Sequence, residues 1–123
     1  MERHFPRVAA DVPLVATVIG DRDVCALHGR CTVVSQGGLG ALLPGDIPLG
    51  DVVLLELHFP NSPETLRVRA TVRHSQRPNY GLEFLTLSDE ARRVIARYCE
   101  LRGRPTRELL IDILRKHFLR RED

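Results

Sequence analysis

Few side chains in this 123-residue sequence combine the types and spacing that chemistry needs. Cys25, His28 and Cys31 form C-x-x-H-x-x-C, a donor set that suits zinc. Residues 24–34 read as a strand, however, with the two cysteines on one face and His28 on the other. Six residues of rise separate the thiols by roughly 20 Å. No common ion bridges that span, so the cysteines are expected to serve as small core hydrophobes. Gly38-Leu39-Gly40 lacks the third glycine and following helix of a dinucleotide fingerprint, and no Gly-Lys-Ser/Thr occurs. Ser35 lies outside any G-x-S-x-G turn, and His4, His28, His58, His74 and His117 fall on different segments. The expectation is a protein with no catalytic residues, no metal and no resident cofactor: not an enzyme.

What remains is cationic. Of the 18 basic residues, 17 are arginines, the side chain that grips phosphates and guanine edges with two parallel hydrogen bonds. Arginine and acid are also segregated. Residues 8–66 carry two arginines against seven acids, residues 67–76 three arginines and no acid, and residues 92–121 ten basic residues against three acids. Such a distribution suits an anionic ligand or partner. The candidates for holding one are Arg3 and Arg7, ahead of the first strand, and Ser35-Gln36-Gly37-Gly38, at the end of the second.

The elements that must position these groups are mostly strands. Residues 12–19 are rich in valine and isoleucine and stop at Gly20-Asp21; residues 24–34 follow as a second strand, and residues 39–43 as a short third ended by Pro44-Gly45-Asp46. Within residues 51–59, Val53, Leu55, Leu57 and Phe59 share one face. The clearest alternation sets Val68, Ala70 and Val72 against Arg67, Arg69, Thr71, Arg73, Ser75 and Arg77, one face core and the other basic. Tyr80, Leu82 and Phe84 line the inward side of a sixth strand. Strict alternation likewise puts Val33 on the core side with Leu27 and Cys31. The period then lengthens to that of a helix. Ser88 is a suitable N-cap for residues 89–101, which end at Gly103 before Pro105. A second helix is expected near residues 106–119, with Leu110, Ile113, Leu114 and Phe118 on one stripe. The fold class is therefore mainly β, an antiparallel barrel or sandwich of about six strands followed by two C-terminal helices.

At Arg3-His4-Phe5-Pro6-Arg7 and Ser35-Gln36-Gly37-Gly38 the sequence resembles the PilZ domain, the bacterial receptor module for cyclic di-GMP, whose signatures are R-x-x-x-R and [D/N]-x-S-x-x-G. Four R-x-x-x-R matches occur, at Arg3, Arg69, Arg73 and Arg93, so order and context carry the resemblance. An arginine pair precedes the first strand, S-x-x-G closes the second, and Tyr80-Gly81-Leu82-Glu83-Phe84 looks like the family's final strand. The resemblance spans residues 2–101 and implies a six-stranded antiparallel PilZ-like β-barrel followed by a helix. The domain would then comprise residues 1–103, with residues 104–123 as a second helix for an oligomer or partner contact.

By the same resemblance, Arg3 and Arg7 clamp cyclic di-GMP, Ser35 supplies a hydroxyl, and Gly38 lets the backbone approach a base. Val33 stands where the family has Asp or Asn and cannot accept hydrogen bonds from guanine N1 and N2. His74 is either a stacking partner for a guanine or an ordinary strand-end histidine. The implied function is a cyclic di-GMP-binding effector that changes a contact with an unidentified protein partner. The alternative is a degenerate PilZ-like adaptor without nucleotide, for which Val33 speaks. A nucleic-acid-binding barrel using residues 67–77 is disfavoured by an aromatic content of 5% and the absence of tryptophan. The uncharged stretch of residues 31–44 contains Ser35, Gly37, Gly38 and Gly40, so neither a membrane span nor a signal-peptide core is expected. Three cysteines, an odd number, fit a reducing compartment, and a cytoplasmic location is expected.

Overall fold

A computed structural model of the chain describes residues 5–20 and 23–103, together with Arg115. Six strands form a closed barrel: β1 (Val8–Ile19), β2 (Val24–Val34), β3 (Gly38–Leu42), β4 (Val52–Leu57), β5 (Leu66–Gln76) and β6 (Asn79–Phe84). Their order around the barrel is β1-β2-β3-β6-β5-β4, with β4 pairing back onto β1, and every pairing is antiparallel. Closure gives every strand two neighbours, although Val24–Gly29 of β2 pair with β1 alone. One helix among the described residues, α1 (Asp89–Gly103), follows the barrel. The second helix expected at 106–119 lies outside the described residues, except for Arg115, which is helical.

The interior is filled by alternate residues of all six strands, as a period of two requires. Val12, Leu14, Ala16, Val53, Leu55, Leu57, Val68, Ala70, Val72, Tyr80 and Leu82 are all buried. Tyr80 carries a polar tip inward and satisfies it. Its hydroxyl donates to the Gly45 carbonyl at 2.8 Å and accepts from the Ile47 amide at 3.1 Å, fixing the β3–β4 connection.

Helix α1 closes one side of the barrel. Ser88 Oγ accepts from the Ala91 amide at 3.0 Å, the expected cap, and Asp89 and Glu90 sit at the positive end of the helix. Ala91, Ile95, Tyr98 and Cys99 are buried, and the Tyr98 ring meets Phe59 edge-on with centroids 5.0 Å apart. The far end of α1 is tied to the start of the barrel: Arg102 Nε donates to the Ala9 carbonyl at 3.2 Å, and its guanidinium lies over the Tyr98 ring.

Three expectations from alternation fail, the first two through strand pairing. Cys25 is exposed, not a core residue, because it pairs with β1 alone, beside the hairpin tip where Ile19 and Val24 are exposed as well, and β2 gains β3 as a second neighbour only from Arg30 onward. Val33 does not share the inward face of Cys31. The β2–β3 register slips between Cys31 and Val33, so Thr32 is an extra residue, Val34 is buried and Val33 turns outward over Gly40. Thr71, assigned to the basic outer face of β5, is buried at 6% exposure.

Candidate functional site

The cavity that matters lies where the chain enters β1. Phe5 and Arg7 cross the turn between β2 and β3, and the Phe5 ring lies so close over Gly37 that a Cβ there would stand 3.2 Å from it. The turn holds its own shape. The Ser35 amide donates to the Gly38 carbonyl at 2.8 Å, and Ser35 Oγ accepts from the Gly37 amide at 3.2 Å. The Gly37 carbonyl accepts from the Phe84 amide at 3.0 Å, which ties the turn to the end of β6.

Between these parts lies a cavity of about 350 Å³. That is at the small end of the range for ligand sites and leaves room for part of a dinucleotide. The structure brings Arg7, Val33, Ser35 and Gly38 together around it. Arg3 lies outside the described residues. His74 does not line the cavity: it pairs with Gly81 and is exposed on the outer face of β5.

Two charged lining residues, Arg73 and Glu83, are not among the site residues expected from the sequence. Arg73 Nε donates to Glu83 Oε1 at 2.6 Å, an exposed ion pair across β5 and β6. Arg73 reaches this wall because the β5–β6 register also slips, between Val72 and His74, leaving it as the extra residue. The bulge in β2 presents Val33 and the bulge in β5 presents Arg73. Neither slip has a clear signature in an alternating sequence, although Arg73 was one of the outward arginines and Glu83 sits inside Tyr80-Gly81-Leu82-Glu83-Phe84.

The glycines explain the shape of the floor. A Cβ on Gly38 would run into the Leu82 carbonyl oxygen, so this position is glycine because β3 and β6 approach closely, whatever binds above it. Gly40 pairs with Gly81. A Cβ on Gly40 would stand 2.6 Å from Val33 Cγ1, and one on Gly81 would stand 3.0 Å from His74 Cβ.

Cys25 is exposed, whereas Cys31 and Cys99 are buried. No cluster of three or more His, Cys, Asp or Glu suited to a metal occurs among the described residues. Cys31 Sγ instead donates to the Val33 carbonyl at 3.4 Å, and Cys99 Sγ approaches the Val34 carbonyl at 3.9 Å, both at the β2 bulge. Burial pushes the Cys31 thiol up to about 12 and raises Cys99 as well, so both are protonated at neutral pH.

The model of the PilZ domain family matches residues 2–101. The chain belongs to the PilZ domain family. No curated protein matches the sequence. Among solved structures, the PilZ fold of this chain is similar to the PilZ domain of YcgR from Escherichia coli with c-di-GMP, at 22% identity and a TM-score of 0.68, covering 89% of this chain and 98% of that one. It is similar to YcgR in complex with c-di-GMP at 23% identity and 0.70, covering 90% and 50%. It is also similar to the inhibitor of motility MotI/DgrA of Bacillus subtilis at 18% identity and 0.66, covering 84% and 52%. The chain thus spans about half the length of the MotI and YcgR chains. No helix among the described residues is long and apolar enough to cross a membrane.

Proposed function

We propose that this PilZ domain is a non-enzymatic, cytoplasmic cyclic di-GMP effector whose N-terminal segment closes over the nucleotide and thereby alters a contact with a protein partner. The supporting observation is the convergence of Arg7, Ser35 and Gly38 on one cavity between the entering chain and the β2–β3 turn. Cyclic di-GMP carries two phosphates and two guanines. An arginine there can fork onto phosphate oxygens or onto guanine O6 and N7, or stack flat on a purine. Arg3, four residues earlier, would add a second guanidinium. Ser35 Oγ donates to the Gly38 carbonyl at 3.4 Å and accepts from the Gly37 amide, and its remaining lone pair would accept from the ligand.

The same segment offers a route for the signal. Val8 and Ala9 follow Arg7 directly, and the Ala9 carbonyl is held by Arg102 at the end of α1. A second cavity of about 690 Å³ is lined by Pro6 and Gln36 on one side and by Arg93, Arg97 and Cys99 of α1 on the other. Movement of residues 5–7 over a ligand would therefore act on α1 and the chain beyond it, where a partner or a second copy would dock.

Val33 favours a second reading, an adaptor that binds proteins and no nucleotide, because the family's carboxylate or amide is missing at that position. Calorimetric titration with cyclic di-GMP separates the two. The effector reading expects a saturable signal that weakens at least about tenfold in Arg7→Ala, the effect of losing a charge-assisted contact. A flat trace at high micromolar ligand leaves the adaptor.

A further inference from the structure

The missing acceptor at Val33 has a neighbour able to replace it. Gly38 on β3 pairs with Glu83 on β6, and Gly40 pairs with Gly81, so Val33, the glycine floor and Glu83 lie on adjoining strands of one outer surface. Gly38 and Gly81 line the cavity without side chains of their own, so a base can approach the backbone there. Glu83 and Arg73 form its far wall. Their side chains remain 55% and 62% exposed, so the ion pair contributes little to stability and both groups keep bonding capacity for a ligand.

We propose that the Arg73–Glu83 pair reads the Watson–Crick edge of one guanine, with Glu83 as the specificity-determining acceptor. The proposal rests on the cyclic di-GMP reading of this cavity. Guanine presents along that edge one acceptor, O6, and two donors, N1–H and N2–H. A carboxylate accepts both donors side by side, and a guanidinium beside it donates to O6. Arg73 also offsets the charge of Glu83, without which the carboxylate would repel a dianionic ligand. Val33 meanwhile supplies an apolar edge to the base and no hydrogen bond.

The test compares cyclic di-GMP with cyclic di-inosine monophosphate, which lacks only the N2 amino group on each base, against the wild-type chain and Glu83→Gln. The substitution is nearly isosteric and exposed, so the fold is kept. The wild type is expected to prefer the guanine ligand about tenfold or more, the consequence of leaving a charged acceptor short of one donor. In Glu83→Gln that preference is expected to shrink several-fold, while affinity for the guanine ligand falls. Equal preference in the two proteins, or none in the wild type, overturns the assignment of Glu83 and leaves cyclic di-GMP binding intact. No binding of either ligand by the wild type overturns both readings.

Discussion

The two halves of β2 are built from similar residues and behave differently. From Val24 to Gly29 the strand is hydrogen-bonded to β1 alone; from Arg30 it is paired with both β1 and β3. Each half holds a cysteine. Cys25 is exposed, next to Val24 at 65% exposure, whereas Cys31 is fully buried and its thiol is pushed up to about 12. The first half keeps regular pairing, and the second carries the bulge that turns Val33 toward the cavity. Alternation sets which side a residue faces. The number of neighbouring strands and the bulge set whether that side is core, solvent or site.

The largest effect that can break this contrast is alkaline destabilisation through Cys31. Its folded-state pKa is raised from 9.0 to about 12 by burial, so the thiol ionises more readily in the unfolded chain. The associated stability is fully present below pH 9 and is lost as pH rises toward 12, by about 1.4 kcal/mol per pH unit. Cys99, raised in the same direction, adds to the loss. Urea unfolding at pH 8 to 10.5 should show a shallower decline in Cys31→Ala than in wild type. Identical slopes in the two proteins would remove the role given to the buried thiol of the second half.

Next in size is Gly38→Ala. Its new Cβ meets the Leu82 carbonyl, a backbone atom that gives way only by shifting β6. The expected loss is about 1–3 kcal/mol in ligand-free protein, the usual cost of overpacking. A neutral result would mean that β3 and β6 separate easily beside the cavity. The glycine would then answer to a ligand and not to the barrel.

These cases show how much was legible in the sequence. The six strands, the Ser88 cap and α1 followed from local patterns, because alternation, turn residues and capping act within a few positions of one another. Arg7, Ser35 and Gly38 could be singled out because two short motifs flank the first two strands. Arg73 and Glu83 could not, since their meeting depends on a slip of one residue between β5 and β6. Val33 was given the wrong face for the same reason: the β2 bulge is a property of the pairing between strands, and a single strand carries no record of it. Alternation places Cys25 inside, because a single strand does not show which neighbours it lacks.

The smallest effect sharpens the comparison most. Val33 and Glu83 approach the glycine floor from opposite sides, so the bulge in β2 makes position 33 an alternative place for the acceptor that β6 supplies. Val33→Asp on the wild-type background should change cyclic di-GMP affinity by only about threefold, because the guanine donors already have a partner. On the Glu83→Gln background the same substitution should recover about tenfold, the value of one charge-assisted bond restored. Calorimetric titration of the four proteins completes the cycle. A tenfold gain on both backgrounds would mean that positions 33 and 83 act on different guanines. No gain on either would mean that the second half of β2 presents its side chain to solvent, as the first presents Val24.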